Sequence, residues 1–188
     1  PGGSIETNFQ YSRSSDIPRL DKLNDILDSD LKWIEWYYGP QERLMTAVIW
    51  DQYLGIPGSL HTTFAYQNIN ESRNKRQFGS ELREVQEEQV DVFSMSSVWV
   101  SSPFRGDGWK FEAGLDGQWN DVTSVVSAED PSGLTVIDEG SGGGLLTRYP
   151  NAGSNMLSWA SFASAKRNSG DNTYHVGLRY SHSSINAS

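Results

Sequence analysis

The hydrophobic pattern of the chain changes period once. Residues 1–15 are polar, with Phe9 and Tyr11 as isolated apolar positions, which predicts an extended N-terminal arm. From Pro18 the spacing turns helical. Leu20, Leu23, Leu27, Leu31 and Ile34 recur at three- and four-residue steps, Asp21, Asp25 and Asp28 take the opposite side, and Gly39-Pro40 closes the segment. This predicts one amphipathic helix over about 18–38. Its aromatic end, with Trp33, Trp36, Tyr37 and Tyr38, could instead begin a strand.

Beyond Arg43 the period is two. An apolar run over 44–54 ends at Gly55-Ile56-Pro57-Gly58, a strong turn signal, and Leu60, Thr62, Phe64 and Tyr66 then alternate with smaller residues. A polar stretch over 68–79 and an ambiguous one over 80–89 follow. Residues 90–101 place Phe93, Met95 and Trp99 on one side and Val92, Val98 and Val100 on the other. Trp109, Phe111, Ala113 and Leu115 alternate next, with further strands over 119–127 and 134–137. Two last strands, 156–165 and 173–183, flank a hairpin connection at 167–172. In the final one Tyr174, Val176, Leu178 and Tyr180 face one way and His175, Arg179 and Ser181 the other. Eight or nine short strands with no alternating helices predict a mainly β fold, an antiparallel β-sandwich or single jelly roll. The expected organisation is an arm over 1–15 and one domain over 16–188.

A length of 188 residues suits one domain. The chain has no cysteine, which excludes disulfides, thiolate metal sites and a cysteine nucleophile. Its net charge of −9 disfavours phosphate backbones, so nucleic acid is not an expected partner. No stretch approaches the length of an apolar membrane helix, so no direct membrane insertion is expected. Pro1-Gly2-Gly3-Ser4 carries no leader pattern, which fits a product made without a signal peptide.

Candidate chemistry is sparse. Phosphate-binding, zinc-protease and serine-hydrolase motifs are all missing, and His61, His175 and His182 are scattered. The glycine run at 140–144 reads as a flexible loop, and Arg105-Gly106-Asp107 as a tight turn. Glu112 is the most suggestive carboxylate but lacks a partner for acid/base work. Trp50, Trp99, Trp109 and Trp119 alternate with apolar residues and read as core. Trp33, Trp36, Tyr37, Trp159 and Arg179 remain as candidates for ligand or subunit contact. No catalytic, cofactor or metal residue is assigned, and no enzyme activity is expected.

Three resemblances extend this reading. Ser80-Glu81-Leu82-Arg83-Glu84 and the stretch from Tyr174 to Tyr180 resemble strands of jelly-roll alginate lyases, which implies a polysaccharide lyase. The segment from Gly142 through Gly177-Leu178-Arg179, with its Asn/Ser-rich stretch at 167–172, resembles the end of C-type-lectin-like phage tip domains, which implies carbohydrate or receptor binding. The chain as a whole is acidic, with five lysines, 26 serines and a sandwich pattern. In that form it is similar to the small single jelly-roll major capsid proteins of icosahedral archaeal viruses with an internal membrane. That last resemblance implies a virion capsid subunit that works by association with like subunits and sibling capsid proteins. The alternative is an extracellular or cell-surface carbohydrate-binding module.

Overall fold

A computed structural model describes residues 2–55, 58–102, 108–130, 132, 134–138, 147–149 and 153–187. Arg105-Gly106-Asp107 and the glycine run at 140–144 lie outside the described residues. The chain is mainly β and antiparallel, as its alternation predicts. The strands are β1 (Gly3–Arg13), β2 (Ile17–Pro18), β3 (Ile26–Leu27), β4 (Asp30–Leu31), β5 (Trp33–Tyr38), β6 (Glu42–Gly55), β7 (Gly58–Gln77), β8 (Arg83–Val100), β9 (Trp109–Glu129), β10 (Thr135–Asp138), β11 (Ser154–Ser169) and β12 (Asn172–Ala187). One ten-stranded sheet runs in the order β1-β6-β7-β8-β9-β11-β12, each strand beside its neighbour in that series. β5 extends the β6 side of β7, and β10 pairs with β9. β3 and β4 form a small separate hairpin.

The strands are longer than the alternation alone suggests. The polar stretch over 68–79 lies mostly within β7, and the segments at 109–115 and 119–127 are one 21-residue strand. Both continue because their backbone N–H and C=O groups find cross-strand partners over most of their length, which outweighs local polarity. The extended segment expected at 1–15 is incorporated as β1, in register with β6 from Gly3↔Gln52 to Arg13↔Glu42.

The helix expected over 18–38 does not form. Only α1 (Leu20–Leu23) is helical, and none of its residues is buried. Asp28 and Ser29 take positive φ, which ends any helix there, and the β3–β4 hairpin turns between them. Trp33–Tyr38 is dense in aromatic residues, which suit a pleated strand, and it pairs with β7 instead.

Connections differ at the two ends of the sheet. At one end β6–β7, β8–β9 and β11–β12 are joined through positions 56–57, 101–108 and 170–171. At the other end the joins span 14–41, 78–82 and 130–153. At the start of β7, Gly58 has φ +118, and a Cβ there would overlap the Val100 carbonyl oxygen.

Little of the sheet has a core of its own. The accessible surface is 12270 Å², against roughly 9,000 Å² for a compact monomer of this mass. The buried residues gather mainly at the long-connection end, with Trp36, Val85, Val126, Ala128, Gln86 and Ser124. Further along, Gly114 and Phe162 are direct cross-strand partners, and the ring lies where a Gly114 side chain would be. Gly114→Val should therefore overpack this contact and cost about 1–3 kcal/mol. Urea unfolding followed by circular dichroism measures the loss, and Phe162→Ala in the same chain should recover part of it.

Candidate functional site

Because directly paired residues in an antiparallel sheet share a face, the register sorts the side chains. Four consecutive rows cross all seven strands of the main series. They are Gly3–Gln52–Leu60–Trp99–Ala113–Ala163–Leu178, Ile5–Trp50–Thr62–Ser97–Leu115–Ser161–Tyr180, Thr7–Val48–Phe64–Met95–Gly117–Trp159–His182, and Phe9–Thr46–Tyr66–Phe93–Trp119–Leu157–Ser184. None of these positions is Asp, Glu, Lys or Arg. Many carry large apolar side chains open to their surroundings, including Leu178 (79% exposed), Ile5 (72%) and Leu115 (54%). A contiguous apolar surface of this extent marks a contact with an apolar phase or partner.

Aromatic rings edge this face. Tyr66, Phe93 and Trp119 form a ladder across β7, β8 and β9, with centroids 4.8 and 5.6 Å apart. The Tyr66 hydroxyl leaves the apolar zone to donate to Asp91 Oδ1 at 2.7 Å. Beyond it the next row is polar from β7 to β12, with Asn68, Asp91, Asp121, Asn155 and Asn186, and apolar on β1 and β6, with Tyr11 and Leu44. At the short-connection end Trp109 and Tyr174 flank Arg167, whose guanidinium lies 5.7 Å from the Trp109 ring centroid. Inside the apolar rows, Thr62 Oγ1 and Ser97 Oγ bond each other at 2.9 Å, so each hydroxyl has one partner within the sheet.

Over the same span the opposite face carries the charged and most of the polar side chains, interspersed with Ile49, Val98, Phe162 and alanines. Interleaved rows carry Ser4, Asp51, His61 and Arg179, then Glu6, Thr63, Ser96, Asp116 and Ser181, then Asn8, Ser94, Gln118, Ser158 and Ser183. Arg179 Nη1 donates to Asp116 Oδ2 at 3.1 Å, and Ser96 Oγ to Asp116 Oδ1 at 2.9 Å. His61 Nδ1 lies 2.6 Å from Asp51 Oδ1. This face can hold water and dissolved solutes.

The five contact candidates fall into three places. Trp33, Trp36 and Tyr37 lie on β5 at the long-connection end. Trp36 is buried, Trp33 sits 4.9 Å from the Lys32 ammonium, and the Tyr37 hydroxyl accepts from Arg83 Nη1 at 2.7 Å. Trp159 and Arg179 belong to the β11–β12 hairpin but point to opposite faces, Trp159 apolar and Arg179 polar. The tryptophans read as core are on the open apolar face instead: Trp50 and Trp119 are exposed, and Trp99 and Trp109 share that side. Alternation gives the face of a residue; it does not say whether a second layer covers it. Among the described residues no group of three or more His, Asp or Glu converges to hold a metal. Among them, too, no helix is long and apolar enough to cross a membrane. The chain matches no protein-family model, no curated protein and no solved structure.

The cover over Trp36 is a charged latch. Arg19 lies 4.9 Å from the Trp36 ring centroid, donates through Nη1 to the Tyr38 hydroxyl at 2.8 Å, and pairs with Asp21 at 2.6 Å. The hydrogen bond from Arg19 holds the Asp21 carboxyl down at about 2. A lowered carboxyl stabilises the latch fully above its unfolded value near 3.8, and the contribution is lost as pH falls toward 2. Trp36 emission should shift to the red over that interval, and Asp21→Asn should show the shifted emission already at neutral pH.

Proposed function

We propose that the chain forms part of the wall of a transmembrane β-barrel, with its uncharged rows against lipid and its polar face lining an aqueous interior. The observation that carries this reading is the coherence of the apolar face: four full rows free of charge, edged by aromatic rings. From Trp109 to Trp119 the apolar side of β9 runs about 33 Å along the strand. With strands tilted about 40°, that gives about 25 Å, the height of a barrel's lipid-facing zone. The four charge-free rows from Ala113 to Trp119 occupy about 15 Å of it, and the rest reaches the row of Arg167. Sequential antiparallel neighbours fit the same architecture, with the two-residue joins β6–β7 and β11–β12 at one end and the two longest joins, 14–41 and 130–153, at the other. A sandwich or jelly roll would need a second large sheet against the apolar face, and the sequential order of this sheet favours the barrel wall.

This reading replaces the expectation of no membrane insertion. Searching for about 18 consecutive apolar residues finds helices, whereas a strand crosses with alternate residues only. A second reading keeps the self-associating subunit, in the capsid or another assembly. It is favoured by the unpaired outer edges of β1 and β12 among the described residues, which offer hydrogen-bonding surface to a like chain.

Reconstitution into phosphatidylcholine vesicles with brominated acyl chains tests the choice. Five of the seven tryptophans sit on the apolar face, so strong quenching of tryptophan emission is expected. Retention in aqueous solution as a defined oligomer, without quenching, would favour the subunit instead. Leu115→Arg, on the apolar face, should cost about 2–4 kcal/mol in vesicles. Ser94→Arg, on the polar face, should cost under about 0.5 kcal/mol. Denaturant titration of the reconstituted protein measures both, and equal costs would count against the assignment of the faces.

A further inference from the structure

The apolar face has a gap near its middle. Gly117 stands in the row between Met95 and Trp159, and a Cβ built there meets nothing within 4 Å. Over it lies a hollow of about 450 Å³, walled by Val48, Phe64, Phe93, Met95, Trp119 and Trp159. These walls are apolar and aromatic, so the hollow suits hydrocarbon.

Two rows toward the long connections, Asp91 and Asp121 are direct cross-strand partners on the same face. Like charges opposed in this way destabilise a strand pair, and a cation between them offsets the repulsion. Asp91 is fixed by donors from Tyr66, Asn68 and Gln89. Among the described residues no side chain donates to Asp121. The adjoining positions on that face are Asn68, Asn70, Gln89, Thr123 and Asn155, none of them cationic. The carboxylate pair stands about 13 Å along the strand from Gly117, four residues at strand rise. An acyl chain in the hollow can thus belong to a lipid whose head reaches the carboxylates.

We propose that the hollow over Gly117 is a lipid site, holding one acyl chain of a phosphatidylethanolamine-type lipid whose primary ammonium lies between Asp91 and Asp121. This rests on the reading of the apolar face as lipid-facing. Charge complementarity selects the occupant. A primary ammonium donates three hydrogen bonds to the carboxylates, whereas a trimethylated one donates none.

The test uses the whole chain in phosphatidylcholine vesicles containing a small, varied fraction of one brominated lipid. Half-maximal quenching should need about tenfold less brominated phosphatidylethanolamine than brominated phosphatidylcholine, the scale of a charge-assisted hydrogen bond. Gly117→Leu should fill the hollow and abolish the preference. Asp121→Asn should weaken the preference while leaving quenching in fully brominated phosphatidylcholine unchanged. Equal quenching by the two lipids in the unmodified chain overturns the proposal alone. No quenching even in fully brominated phosphatidylcholine removes the lipid-facing reading and the proposal with it. If Gly117→Leu loses its β-sheet dichroism, the Asp121→Asn comparison decides: an unchanged preference overturns the assignment of the head group.

Discussion

The hydrogen-bonded register of the antiparallel ladder is the constraint on which everything else depends. In a strand the side-chain period is two, so a one-residue slip between neighbours would carry every side chain of a strand to the other face. Here the pairing of β6 with β7, β7 with β8 and β8 with β9 is continuous over long runs, and β11 with β12 is paired without a shift from Ser154↔Ala187 to Ser169↔Asn172. Alternation within each strand is thereby added in phase across the sheet. Two surfaces of opposite character result, and neither belongs to any single strand.

Such a sheet gains backbone hydrogen bonds without gaining a conventional interior. Its buried residues cluster beside Trp36 and Val126, where β5 and the latch around Arg19 and Asp21 lie at the long-connection end. Across the rest of the sheet, the side chains that would form a core in a two-layer protein meet neighbours in the sheet but no second layer among the described residues. In water that surface would be a liability, since exposed apolar strands associate without discrimination. In an acyl-chain environment the same surface is already satisfied, and the cost shifts to the backbone, where every polar group needs a partner. The continuous ladders meet that need over most of the series; among the described residues the outer edges of β1 and β12 and the β11 side of β9 over 123–126 have no ladder partner.

Much of this was written in the sequence, and the reasons for what was not are physical. The apolar alternation of Phe93, Met95 and Trp99, and of Tyr174, Val176, Leu178 and Tyr180, is present in the structure with the sides correctly separated. What alternation lacks is the identity of the medium beyond each face, because apolar neighbours look the same whether protein or lipid covers them. That ambiguity led Trp50 and Trp119 to be read as core. The leucine spacing over 20–31 failed differently. A helical period in isolation competes with tertiary pairing, and Trp33–Tyr38 finds more hydrogen bonds beside β7 than a short helix supplies. Long-range partners such as Asp91 and Asp121, thirty residues apart in sequence, become neighbours only when the register is known.

The number of strands in the main series has a geometric consequence. Seven antiparallel neighbours leave β1 and β12 pointing the same way along the sheet. If the wall curls until these two meet, the seam between them is parallel, with slanted hydrogen bonds unlike those at every other junction. Only an odd number of further strands, added between β12 and β1 at the seam, makes all the junctions alike. Parity therefore decides whether the closed ring contains one distinct line, weaker than its surroundings, along which it would open first.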